Sequence, residues 1–235
     1  MSCPPALVEK FWPSARPIGK LAHVEKRPVT ECRLYGFVDT AYLAKRDPAE
    51  VARQLIAGGV DILQVRAKKE RHSRLVEIGL AVVRAARDTT VPVIINDDIE
   101  AAYETGADGL HLGQEDWAKI PRPERHQRLM GLNILGLSTH SLRQALEAER
   151  DGANYIGVGP IYATGTKPGR PPVGLDLIRQ VAGRVQTPFF AIGGITLENL
   201  GDVIAAGATR VAVVSAILTA PNLTTAAASF KERLP

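Results

Sequence analysis

From Leu34 onward the chain repeats one rhythm, a short apolar run and then, in most cases, a segment with helical spacing. The runs are Leu34–Val38, Ile62–Val65, Pro92–Ile95, Gly109–Leu112, Ile134–Leu137, Tyr155–Val158, Pro188–Ile192 and Arg210–Val214. Between them, Pro48–Ala57, Arg74–Arg87, Ser141–Arg150 and Leu197–Ala206 carry helical patterns. Alternating strands and helices imply parallel strands joined by crossover helices. A small repeat marks the helix-to-strand turns: Gly58-Gly59-Val60-Asp61, Gly106-Ala107-Asp108-Gly109, Gly152-Ala153-Asn154-Tyr155 and Gly207-Ala208-Thr209-Arg210. The first glycine of each suits a left-handed helix C-cap. Eight strands over roughly 200 residues fit an α/β fold of the (β/α)₈ TIM-barrel type. A doubly wound sheet is the alternative, and no Gly-x-Gly-x-x-Gly fingerprint follows the first strand to favour it.

Residues 1–31 read as an irregular N-terminal extension, because prolines at 4, 5, 13, 17 and 28 interrupt every periodic segment. Phe11-Trp12 offers it a docking point. The barrel then occupies 32–235. A net charge of +4 is a mild excess with no Lys/Arg block, and aromatics are only 5% of residues, so a nucleic-acid platform is not expected. No apolar run approaches a membrane span, and the N-terminus lacks the charged and apolar regions of a secretory signal. Two cysteines, Cys3 and Cys32, share no metal-ligand spacing with histidines and make no disulfide framework, so a reducing cytoplasm is the simplest compartment.

In a barrel, the loops after the strands carry the active site, and the unusual polar residues of this chain fall there. Val93-Ile94-Ile95 runs into Asn96-Asp97-Asp98, and Gly109–Leu112 leads to Gln114-Glu115-Asp116. One aspartate of the first pair serves as a helix N-cap. The other, with Asp116, suits Mg²⁺, which takes oxygen ligands from one or two carboxylates and substrate phosphates. Strand alternation puts Gln64, Arg66 and Lys68 on one face, where a buried arginine needs a partner and a phosphorylated ligand would provide it. Ser138 or Ser141 can cap the next helix, and His111 reads as a packing residue. The stretch Gly159 to Arg170 is long for a βα loop, and its Thr164-Gly165-Thr166-Lys167 looks like a phosphate-binding loop able to close. Gly193-Gly194 and Val214-Ser215 end the last two strands, where phosphate sites recur in this fold. Two phosphate-binding regions imply two phosphorylated groups or substrates.

Gln64-Val65-Arg66-Ala67-Lys68, Asn96-Asp97-Asp98, His111-Leu112-Gly113-Gln114-Glu115-Asp116, Gly159 to Lys167 and Ile192-Gly193-Gly194-Ile195 come in an order and spacing similar to those of thiamine-phosphate synthases, over about residues 33–220. The resemblance implies a transferase that joins a hydroxymethylpyrimidine diphosphate to a thiazole phosphate, forming thiamine monophosphate and pyrophosphate by dissociative substitution. It implies Mg²⁺ on Asp97 and Asp116. The pyrimidine diphosphate falls to Gln64, Arg66, Lys68, Asn96, Ser138 and Lys167. The thiazole phosphate falls to Thr164, Thr166, Gly194, Val214 and Ser215. Val65, Ala67 and Gly165 join the substrate-binding set, and Arg66, Lys68, Ser138 and Lys167 form the catalytic one. Two departures stand out: Ala67 replaces a common acid, and Ala163-Thr164-Gly165-Thr166 replaces a loop often written with prolines. Trp117–Met130 matches poorly. Members are often homo-oligomers, and no interface is legible. A related thiazole tautomerase and a non-catalytic regulator that binds thiamine precursors are the competing readings; the retained acids and cations argue against both.

Overall fold

The computed structural model describes residues 24–164 and 171–235. Its strands are β1 (Leu34–Asp39), β2 (Ile62–Arg66), β3 (Val93–Asn96), β4 (Gly109–Leu112), β5 (Ile134–Thr139), β6 (Tyr155–Val158), β7 (Phe189–Ile192) and β8 (Val211–Ala212). Helices α1 (Thr40–Leu43) and α2 (Pro48–Ala57) follow β1, and α3 (His72–Ala86) and α4 (Ile99–Thr105) follow β2 and β3. After β4 come α5 (Gln114–Lys119) and α6 (Arg122–Leu129), then α7 (Leu142–Arg150), α8 (Gly174–Ala182) and α9 (Leu200–Ala205) after the next three strands. The chain ends in α10 (Ser215–Leu218) and α11 (Leu223–Lys231). Each strand pairs in parallel with the next, and β8 closes on β1. This is the expected (β/α)₈ barrel.

The local chemistry explains the elements. Val93, Ile94 and Ile95 are all buried, as expected for strands covered on both faces. Asp47 accepts from Ala49 N ahead of Pro48, and Ser141 accepts from Gln144 N, so α2 and α7 begin at capped positions. The helix expected from Leu197 starts instead at Leu200, because Thr196 N donates to Asn199 Oδ1 and holds a turn in front of it. The glycine repeat behaves as expected at Gly106, Gly152 and Gly207, with φ of +64°, +83° and +110°. In the first copy the left-handed residue is the second glycine, Gly59 (φ +85°), while Gly58 caps α2 at φ −81°.

Residues 24–31 pack against the end of the barrel opposite the strand C-termini. Val29 is buried, Lys26 Nζ donates to Ala86 O at 2.8 Å, and Arg27 pairs with buried Asp61. Asp61 also pairs with Lys231 and accepts from Arg33 N and Leu34 N, tying the 24–31 segment and α11 to the start of β1. Phe11-Trp12 lies outside the described residues.

Inside the barrel, Tyr35 makes ring contacts with Phe37, Tyr155 and Phe190 at 5.1, 5.6 and 5.2 Å. Gly136 makes room for this cluster, since a Cβ there would overlap the tip of the Tyr155 ring. A Gly136→Ala variant is therefore expected to lose roughly 1–3 kcal/mol to overpacking. Thermal unfolding checks this, and an unchanged midpoint would mean that the ring can move aside.

Candidate active site

One cavity opens at the C-terminal ends of the strands. Its wall draws Tyr35 and Phe37 from β1, Gln64 and Arg66 from β2, Asn96 from β3 and His111 from β4. Ser138, Tyr155 and Phe190 continue the wall, and Gly193, Gly194, Val214 and Ser215 complete it. The alternation read from β2 holds, with Gln64 and Arg66 facing the cavity while Val65 is buried outside its wall. Ala67 is buried too and does not line the cavity.

Arg66 does not depend on a ligand for a counter-charge, as the sequence reading supposed. Its Nη1 donates to Asp39 Oδ2 at 2.6 Å, and the two side chains are 10% and 1% exposed. Asp39 sits at the end of β1, where its other oxygen accepts from Ala41 N and caps α1. The pair fixes the guanidinium at the cavity wall, in the planar form that suits bidentate contact with phosphate oxygens.

The acids divide as expected. Asp98 is the N-cap of α4, accepting from Ala101 N at 2.8 Å. Its Oδ2 also meets His72 Nδ1 at 2.7 Å, and His72 Nε2 meets Glu104 at 3.1 Å. Hydrogen bonds to Asp98 and then Glu104 raise the His72 pKa. The clamp is thus strongest below the ordinary histidine pKa of about 6.5 and is lost as pH rises through the raised value. Asp97 is left free of the cap, although neither it nor Lys68 nor Asp116 is part of the cavity wall. Its φ of +67° is left-handed, and its N–H donates to His111 O at 2.8 Å. Lys68 Nζ lies 2.6 Å from its carboxylate. Burial pushes the Asp97 carboxyl up, but the hydrogen bond and charge of Lys68, the nearby His111 and a bond from Gly113 N outweigh it, and the pKa falls below its usual value. Asp97 is therefore ionised at neutral pH.

Asp116 stands in the first turn of α5, with Lys119 Nζ at 2.8 Å. Hydrogen bonding to Asp116, its charge, and the fields of Glu115 and Asp97 raise the Lys119 pKa. Both aspartates thus act on one lysine. Among the described residues no group of three or more His, Cys, Asp or Glu side chains is arranged to hold a metal. A two-carboxylate set fits Mg²⁺, which retains water and accepts substrate phosphate oxygens as its remaining ligands. In this structure each of the two carboxylates is paired with a lysine, Asp97 with Lys68 and Asp116 with Lys119.

Across the cavity, Gly193 and Gly194 take φ of +103° and +64°. A Cβ on Gly193 would strike Pro160, and one on Gly194 would strike Ala163 O and Tyr162. The bare backbone therefore lies against the β6 loop, next to Val214 and Ser215. Thr164 lines the same wall, whereas Gly165, Thr166 and Lys167 lie outside the described residues. The poorly matching 117–130 stretch is structural where it touches the barrel. Trp117 Nε1 donates to Asp151 at 2.9 Å, and Arg125 lies over its ring while pairing with Asp151.

Several site residues escaped the sequence reading. Tyr35, Phe37, Tyr155 and Phe190 lie within apolar runs that read as core, and Asp39 lies just past the first of them. His111, read as packing, contacts Tyr155 and Ser138 inside the cavity wall.

A closed barrel with polar strand ends gathered around one mouth cavity is the arrangement of a TIM-barrel enzyme. The family model described as thiamine monophosphate synthase matches residues 34–217. The thiamine-phosphate synthase of Chloroflexus aurantiacus is 40% identical over 204 residues, 86% of this chain and 93% of that protein. That of Thermus thermophilus is 43% identical over 180 residues, covering 76% of this chain and 85% of that protein. The solved thiamine phosphate pyrophosphorylase from Pyrococcus furiosus superposes with a TM-score of 0.75 at 30% identity, covering 86% of this chain and 94% of that one. The chain belongs to the thiamine monophosphate synthase family, and it is a transferase of thiamine biosynthesis. Among the described residues no helix is long and apolar enough to cross a membrane.

Proposed function

We propose that the chain couples 4-amino-2-methyl-5-hydroxymethylpyrimidine diphosphate to 4-methyl-5-(2-phosphoethyl)thiazole with Mg²⁺, giving thiamine monophosphate and pyrophosphate. The observation that carries this reading is one cavity with two separate anion-suited walls. On one side are Arg66, Asn96 and Ser138, with the Lys68–Asp97 pair beside them. On the other are Gly193, Gly194, Val214 and Ser215. The first wall suits the diphosphate and the second a single phosphate on the thiazole.

The substitution is dissociative. The bond between the pyrimidine methylene and the diphosphate oxygen breaks, and its electron pair leaves with pyrophosphate. The thiazole nitrogen then gives its lone pair to the methylene carbon, and the new C–N bond leaves the ring as a thiazolium. No proton has to move and no side-chain nucleophile is needed. Arg66 and Lys68 serve as fixed cations toward the leaving diphosphate, which is stabilisation by preorganised charge, and Lys167 supplies a third positive charge. Asp97 and Asp116 would hold Mg²⁺, whose chemistry is to neutralise phosphate oxygens. The barrel's aromatic floor at Tyr35, Tyr155 and Phe190 gives the methylene cation a dry, electron-rich surrounding.

The retained acids favour this reading over a tautomerase, which has no diphosphate to neutralise. Titration calorimetry separates the two walls. Pyrimidine diphosphate is expected to bind at least about tenfold more tightly with Mg²⁺ than with chelator, and thiazole phosphate equally in both. Equal metal dependence for the two ligands would reject the assignment.

A further inference from the structure

Five side chains form a continuous hydrogen-bonded chain across the cavity floor. Gln64 Nε2 donates to the Tyr35 hydroxyl at 2.8 Å, and the Tyr35 and Tyr155 hydroxyls lie 2.7 Å apart. The Tyr155 hydroxyl is 3.0 Å from His111 Nδ1, and His111 Nε2 is 2.9 Å from Ser138 Oγ. All five residues are buried.

Such a chain has a direction, because each phenol has one proton to give. An amide nitrogen only donates, so the Tyr35 oxygen accepts from Gln64. The Tyr35 proton then goes to the Tyr155 oxygen, and the Tyr155 proton to His111 Nδ1. With Nδ1 accepting, the ring proton sits on Nε2 and is donated to Ser138 Oγ. Ser138 is left with its own proton turned away from the ring, toward the cavity it lines. Both phenols stay protonated, because burial lifts their pKa values well above the usual range. Turning the Gln64 amide around reverses every bond: His111 would carry its proton on Nδ1, and Ser138 would spend its proton on the ring. The chain therefore switches as a unit.

We propose that Tyr35, Tyr155 and His111 are positioning residues that hold Gln64 as an acceptor and Ser138 as a donor toward the bound substrate. The inference rests on the proposed function only in naming that substrate. A 4-aminopyrimidine carries an amino donor and, across the ring from it, a ring-nitrogen acceptor, which suits an acceptor and a donor at the two ends of the chain. The histidine tautomer becomes part of substrate recognition without any proton being transferred to the substrate.

The test uses the full chain with its five histidines isotopically labelled, the His111 signals being assigned by their loss in His111→Gln. At neutral pH, long-range ¹⁵N–¹H correlations are expected to show His111 with its proton on Nε2. In Tyr155→Phe they are expected to show a mixture of both tautomers. In the coupling assay, Tyr155→Phe and Ser138→Ala should each lose about 10- to 100-fold in kcat/KM, the scale of a hydrogen bond at a desolvated site. The double variant should be no worse than Ser138→Ala by more than about twofold, because the tyrosine acts through the serine. A proton on Nδ1 in the wild-type protein, a tautomer unmoved by Tyr155→Phe, or additive losses would each overturn the proposal. Should the wild-type protein fail to couple the precursors, the function reading falls, while the tautomer measurement still decides the relay.

Discussion

Asp97→Asn is expected to lower coupling by roughly a thousandfold or more, since a metal ion's stabilisation of developing charge is worth several kcal/mol. The loss should come with little change in stability. Asp97 stands at φ +67°, a left-handed conformation that asparagine tolerates and most residues do not. Asparagine therefore keeps the turn and removes only the charge that faces Lys68. Alanine at the same position adds roughly 1–2 kcal/mol of backbone strain and confuses the two effects. Because the Asp97 pKa is lowered, its pairing with Lys68 is fully present above about pH 4 and fades as pH falls through the folded-state value. Steady-state kinetics on the asparagine variant, with its melting point as control, checks the claim. Turnover within about tenfold of wild type would remove Asp97 from the metal site.

Asp39→Asn is expected to be the most destabilising single change at the site, costing about 3–5 kcal/mol, because it removes the buried carboxylate that pairs with the buried Arg66 guanidinium. For a chain of this size that corresponds to a fall of roughly 6–20 °C in melting temperature. The helix cap on Ala41 N survives, since an asparagine oxygen accepts the same bond. Removing both charges in Asp39→Asn/Arg66→Met is expected to recover part of the stability and none of the activity. Differential scanning calorimetry distinguishes these outcomes. A single variant that melts within about 2 °C of wild type would mean that Arg66 finds another partner or reaches water.

The two aspartates mark how far sequence reasoning reaches. Asp97 was legible because two acids follow one strand and a helix has one N-cap: Asp98 takes the cap, and Asp97 remains. Asp39 was not, because its partner lies 27 residues away on the neighbouring strand and nothing local to Asp39 records it. Gln64 and Arg66 were legible from a period of two, which fixes the face but not the company a side chain keeps. Tyr35 and Tyr155 lie 120 positions apart, and each reads as an ordinary core aromatic in its own strand. Only barrel closure brings their hydroxyls together, with His111 between Tyr155 and Ser138. The barrel itself was legible because its rule is local, a strand, a helix and a small-residue turn repeated. Where one rule had two solutions the sequence could not choose, as with Gly58 and Gly59, either of which can take the left-handed position.

The most direct measurement incubates the purified protein with both phosphorylated precursors and follows products with Mg²⁺ present or chelated. The expected result is thiamine monophosphate and pyrophosphate in equal amounts, formed only when the metal is available. Binding of both precursors without product, or alteration of the thiazole phosphate alone, would contradict the coupling reaction assigned to this cavity.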